Sequence, residues 1–218
     1  MASHTEPTTS AEGVPPVRGE PLALEFANTL YAEHGVLREG IGSPGELRRW
    51  LEACRDRFAV ALDGDCLEHI KGADVRFFTL LRDAVRGLLQ AYVDGSIPSP
   101  WDVAQLNRAS SMNCLWMLLE WAPGDRPTAL VAGVASPLLG VQAELAQSAI
   151  KLLTGDTGSA VRRCSAPGCV LFFDHTRSRR EWCSTACGNR ARAARHYARH
   201  NRKCPRTDEH SGDPDGTA

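Results

Sequence analysis

Four cysteines near the C-terminus, Cys164, Cys169, Cys183 and Cys187, follow the pattern C-x4-C-x13-C-x3-C. Two close pairs separated by a hairpin-sized spacer suit a tetrahedral ion with sulfur ligands, each pair clamping one edge of the metal. The spacing predicts one structural Zn2+. Four thiolates leave no coordination position for water, which argues against a catalytic zinc. Unligated core thiols are the bland alternative, and the paired spacing argues against them. His196 and His200 have ligand spacing of their own. On a helix running from Cys187, however, His196 would lie about 13 Å away, too far to share an ion. These two histidines are read as solvated or phosphate-facing. His175 is a weaker candidate to replace a cysteine.

The elements that must position these sulfurs can be read around them. Cys164 and Cys169 bracket Pro167-Gly168, which favours a tight knuckle. Val170 to Phe173 and Arg180 to Trp182 are predicted as paired strands, with Asp174 to Arg179 as their turn. Ser184 sits where a helix N-cap belongs, and Cys187 falls in the first helical turn. Knuckle, hairpin and helix make a treble-clef-like unit with Phe172, Phe173 and Trp182 as its small core. So few apolar residues cannot hold a fold alone. A structural zinc contributes about 10–16 kcal/mol in peptides and would supply much of the folding free energy.

The helix beginning at Cys187 is strongly basic. Arg192, Arg195, Arg199 and Arg202 fall within a face of roughly 80°, and Arg206 would extend the row. Ala191, Ala194, Tyr197 and Ala198 lie toward the other side, where small residues permit close packing. Arg177, Arg179 and Arg180 at the hairpin turn are predicted as a second phosphate clamp. Arg190 points roughly 120° or more away from the row, and either braces the hairpin or meets a separate phosphate. Residues 162–206 hold 12 Lys and Arg against 2 Asp and Glu, so these cations lack i,i+4 acidic partners and an external polyanion is implied. Guanidinium forks suit phosphate oxygens and the guanine edge, which favours double-stranded DNA. An acidic protein surface is the alternative partner, and a solvated charged face the third.

The rest of the chain is of ordinary globular composition, and its net charge of −1 conceals the basic block. The first seventeen residues contain one proline-rich polar stretch without Lys or Arg, which argues against a secretory signal. No run approaches the roughly 18–20 apolar residues of a membrane span. A cytoplasmic, nucleoid-associated protein is expected, and in that compartment paired cysteines bind metal more often than they form disulfides. Residues 1–18 and 205–218 are expected to be disordered tails, the second acidic. Residues 19–153 read as a helical domain and 154–161 as a linker before the zinc unit at 162–204. Helices are predicted after Ser43-Pro44, Ser99-Pro100 and Ser136-Pro137, and from about Asp74 to Val93. Cys114 to Trp121 with Thr128 to Val131 reads as a β-hairpin, with a buried helix left open. Trp50, Trp101, Trp116 and Trp121 are expected in the core. Cys54, Cys66 and Cys114 are expected as buried thiols, and Asn28 as a local cap. No nucleotide loop, nucleophile elbow or HExxH site is present, so no catalytic residue is expected, with an enzyme whose site lies in the N-terminal domain left as the remaining alternative.

Cys187-Gly188-Asn189-Arg190 completes a further pattern. Together with the paired cysteines, Phe172-Phe173-Asp174, the Arg-rich turn and Trp182-Cys183-Ser184, it resembles the CGNR zinc finger family. Upstream, Gly19-Glu20-Pro21-Leu22-Ala23-Leu24-Glu25-Phe26-Ala27-Asn28-Thr29 resembles the start of the ABATE domain. Ser43-Pro44, Leu47 and Trp50-Leu51 fit that domain too. The resemblance spans about residues 19–203. It departs from the family at Arg190-Ala191-Arg192, where a lysine is common after the tetrapeptide. It implies a bacterial stress-induced or pathway-specific transcription regulator with the finger as its DNA-binding part. It also implies an N-terminal domain that senses a small-molecule effector or forms a homodimer. The expected fold is mainly α: a helical N-terminal domain with a β-hairpin, then a small treble-clef-like zinc finger with a β-hairpin and a basic C-terminal helix.

Overall fold

The computed structural model describes residues 15, 17–112, 115–133, 136–155, 160–176 and 180–201, with side chains except at 115–117, 131–133 and 201. The acidic tail 205–218, most of the tail 1–18, residues 156–159 of the linker, Cys114, Arg177, Arg179 and Arg202 lie outside the described residues. The Trp116 side chain does too.

The elements run α1 (Leu22–Ala27), β1 (Leu30–Glu33), β2 (Val36–Glu39), α2 (Pro44–Ala53), α3 (Gly64–Glu68), α4 (Gly72–Asp94), α5 (Pro100–Ser111), β3 (Leu115–Glu120), β4 (Thr128–Gly133), α6 (Pro137–Thr154), β5 (Val161–Arg163), β6 (Phe172–Asp174) and α7 (Thr185–Asn201). This is the expected mainly helical architecture. The Ser-Pro starts behave as capping chemistry dictates. The Ser43 and Ser99 hydroxyls accept from the backbone N–H of Glu46 and Asp102, and Ser136 occupies the N-cap of α6. The Asp74 carboxylate accepts from the Lys71 N–H at the start of α4, and α4 ends at left-handed Gly95.

Helices α1, α4, α5 and α6 pack around one core. Phe26 lies 5.5 Å from Trp50 and 6.3 Å edge-on from Phe78, and all three are fully buried. The apolar face predicted for α6, Leu138, Val141, Leu145, Ala149 and Leu152, is buried throughout. Glu144 on the same helix accepts from the backbone of Ala59 and Val60, which pins the loop before α3.

Among the described residues, three small antiparallel sheets complete the fold. β1 and β2 form a hairpin around a two-residue turn at His34-Gly35, both at positive φ. Arg82, buried on α4, grips the end of β2 by a fork of two 2.7 Å bonds to the Glu39 carboxylate. β3 and β4 pair with Leu118 opposite Leu130. The apolar run after residue 114 is thus a strand, turned back by Pro123-Gly124.

Several expectations fail. Phe172–Asp174 pairs with Val161–Arg163, not with Arg180–Trp182, which is a bend. The knuckle is therefore the tip of the hairpin, and Val161, placed in the linker by sequence, is 1% exposed. Trp50 is a core residue as expected, but Trp101 and Trp121 are 63% and 65% exposed. Trp101 stands in the first turn of α5, on its exposed side. Trp121 lies past the end of β3, its indole N–H donating to the Asp125 carbonyl.

The zinc unit is joined to the helical body by shared core. Val161 and Phe172 belong to the main cluster with Phe26 and Trp50, whereas Phe173 and Trp182 pack around the cysteines. Asn28, expected only as a cap, reaches across. Its amide donates to the Phe172 carbonyl at 2.8 Å and accepts from the Phe172 N–H at 2.9 Å. Replacing Asn28 with Ala leaves two buried backbone groups unpaired, at about 1–3 kcal/mol each. A thermal melt of the Asn28→Ala variant should fall accordingly by roughly 5–15 °C.

Candidate metal centre and nucleic-acid interface

Each cysteine pair is presented by local backbone chemistry. In the knuckle, the Cys169 N–H donates to the Ala166 carbonyl and the Cys164 N–H to Leu171, with Gly168 at φ +71° completing the turn. At the start of α7 the Ser184 hydroxyl accepts from the Cys187 N–H, so Ser184 is the expected N-cap. Four Sγ atoms converge from these two frames, all within 4.8 Å of one another. Cys169 and Cys183 are 3.7 Å apart, and Cys183 and Cys187 3.5 Å. Sulfurs about 2.3 Å from a tetrahedral zinc lie about 3.8 Å apart. The set therefore fits one Zn2+.

The electrostatics agree. Without a cation the thiols share protons unequally. Hydrogen bonds from Cys169 and Cys183 draw Cys164 down, and the Cys164 partner pushes Cys169 up. Cys183 is driven up by the same two neighbours. Four thiolates at this spacing need a divalent ion to stabilise them together. Arg190 adds to that stabilisation by donating from Nη2 to Cys187 Sγ at 3.2 Å. His175 donates from Nδ1 to the Arg180 carbonyl instead of joining the metal, and His196 and His200 stack on each other in solvent at 4.1 Å.

The predicted arginines take different places. Arg192, Arg195 and Arg199 are exposed on α7 and, among the described residues, have no carboxylate partner. Arg192 and Arg195 both lie over the Trp182 indole, at 5.5 and 5.4 Å, and Arg192 also donates to Asn189 Oδ1. Trp182 thus fans two guanidinium groups. Beside it, Arg180, Glu181, Trp182, Ser184, Thr185, Gly188 and Arg192 line an open notch of ≈ 430 Å³ at the N-terminus of α7. Arg180 does not form a clamp at a turn. It pairs with the buried Glu20 carboxylate, donates to the Cys183 carbonyl and lies over Phe173. Of the helix's other side, Ala191 is buried, but from Arg195 to His200 every residue is exposed and Tyr197 is 70% exposed.

A family profile, ABATE, described as "Putative stress-induced transcription regulator", matches residues 20–156. The chain belongs to the ABATE family. A second profile, the CGNR zinc finger, matches residues 160–200. No curated protein matches the chain at a significant level. The ABATE part holds its finger with residues that sequence reasoning did not assign to the site. Arg86 on α4 donates to the Ala27, Leu30 and Val170 carbonyls and lies over Phe172, and burial pulls its pKa down to about 10. Glu20 accepts from the Asp174 N–H as well as pairing with Arg180. Among the described residues, no helix of this ABATE protein is long and apolar enough to cross a membrane.

The glycine of the CGNR tetrapeptide has a steric cause. A Cβ at Gly188 would meet the Trp182 ring at 3.0 Å. Gly188→Ala should shift Trp182 and cost about 1–3 kcal/mol of stability, read as a lower melting temperature at unchanged zinc content.

Proposed function

We propose that this ABATE chain is a zinc-organised DNA-binding transcription regulator. The metal fixes the start of α7, and α7 lies in the major groove of duplex DNA. Arg192, Arg195 and Arg199 meet phosphates and base edges. The observation that carries this reading is the free outer half of α7. Its last described turns are exposed on all sides and carry cations without acidic partners. A bare helix about 10–12 Å across matches the ≈ 12 Å major groove. Arg202, Arg177 and Arg179 are assigned to the same interface from sequence.

On this reading the chain is a binding protein, not an enzyme. Its helical part receives a small-molecule signal or pairs two copies, and it works on the nucleoid in the cytoplasm. Salt titration of binding to duplex DNA, followed by genome-wide immunoprecipitation, tests the proposal. Sequence-preferring, salt-dependent binding supports it. Equal binding to all duplexes and to an acidic protein surface would remove the regulator assignment, since any cationic patch binds DNA weakly.

A further inference from the structure

The outer end of α7 carries charge that the described part of the chain does not answer. Arg192, Arg195 and Arg199 have no carboxylate partner among the described residues, and every residue from Arg195 to His200 is exposed. Like charges three and four positions apart on one helix face repel one another. An exposed row of them attracts polyanions within reach.

An acidic segment follows closely in the sequence. Residues 207–218, outside the described residues, hold Asp208, Glu209, Asp213 and Asp215 and no Lys or Arg. The finger profile ends at residue 200, so this segment is no part of the matched unit. We propose that the acidic segment 207–218 folds back on the arginine face of α7 and competes there with DNA. The competition rests on the reading of that face as the DNA interface; the contact itself does not.

Charge, reach and attachment select this occupant. Four carboxylates without a cation of their own meet three guanidinium groups without an anion. Arg192 lies about 13.5 Å back along the axis from Asn201, the last residue of α7. The seven residues from Asn201 to Asp208 span up to about 23 Å, and the fourteen to Asp215 about twice that. The carboxylates therefore reach every arginine of the row from the end of their own helix. Pro205 lacks the N–H that a continuing helix would use, which favours a break where the chain must turn back. Covalent attachment sets an effective concentration on the order of millimolar. Exposed ion pairs too weak to hold a free peptide are then sufficient. Duplex DNA must displace the segment before it meets the row, so the segment lowers affinity for all sequences alike.

The test replaces Asp208→Asn, Glu209→Gln, Asp213→Asn and Asp215→Asn together in the full, zinc-loaded chain. Amide NMR spectra are compared first, without DNA, at about 50 mM salt. The signals of Arg195 and Arg199 should differ between wild type and variant, whereas those of the β1–β2 hairpin should coincide. The difference should vanish at about 1 M salt, where the Debye length is ~3 Å. Zinc content should be unchanged. Fluorescence anisotropy with a labelled duplex follows. The variant should bind on the order of 10-fold more tightly at about 50 mM salt, and the gap should narrow as salt rises. Coincident α7 signals would overturn the proposal, even with tighter DNA binding, since long-range repulsion alone would then explain the gain. Signal differences that grow with protein concentration would place the segment on another copy and overturn the intramolecular contact. Shifted α7 signals with no DNA binding by either chain would support the contact and remove the DNA reading instead.

Discussion

Cys183→Ser should release the zinc and destabilise the helical body as well as the finger. The lost metal removes about 10–16 kcal/mol of folding free energy from the small unit, more than its few apolar residues can replace. The body then loses the burial of Val161 and Phe172, about 1.5–3 kcal/mol each, together with the two Asn28 bonds. For a chain of this size the melt of the body should fall by roughly 10–20 °C. Metal analysis should give far less than one zinc per chain. The fluorescence of Trp50, fully buried beside Phe26, should report the lower transition, although Trp50 is remote from the cysteines. A body melting at the wild-type temperature after metal loss would show that the shared core contributes nothing. One zinc retained per chain would refute the ligand set.

Replacing Arg192, Arg195 and Arg199 together with Ala should reduce affinity for duplex DNA on the order of 10³-fold, taking about 1.5 kcal/mol for each charge-assisted contact. The slope of log affinity against log salt should shrink by up to about 2.7, the value when all three meet phosphates. Zinc content should be unchanged, because none of the three touches a sulfur. Stability should fall by no more than about 1–2 kcal/mol from the two arginines over Trp182. An unaltered salt slope would show that DNA does not meet this face of α7.

The legible parts of the chain were those set by local chemistry. The Ser-Pro caps of α2, α5 and α6 announce themselves because hydroxyl and ring act on the same helical turn. The four cysteines are legible because metal geometry fixes their spacing. The strand partner of Phe172 was not. Val161-Arg162-Arg163 is three residues long, carries no periodicity, and precedes the knuckle. The β1–β2 hairpin escaped for a similar reason, with four residues per strand and a turn at His34-Gly35. Contacts across the body–finger boundary join residues far apart in sequence. One signal was nevertheless present: Arg82 and Arg86 interrupt the buried face of α4 beside Leu81, Val85 and Leu89. A cation among core positions at i,i+4 announces a distant partner, here Glu39 for one and the carbonyls beside Phe172 for the other. Arg180 shows the converse. An arginine in a basic run looks external, yet Glu20, 160 residues earlier, claims it.

Phe172 lodged among the helices also limits how this architecture can be inherited. A finger cut out at residue 160 and grafted onto another protein would arrive with a naked aromatic ring and a strand edge missing its Asn28 clasp. The donor would be left with a matching hole. Such a unit does not travel as a cassette. Its lineage should track that of the helices it plugs, residue by residue, and shuffled chimaeras should survive only where Glu20, Asn28 and Arg86 move along with it.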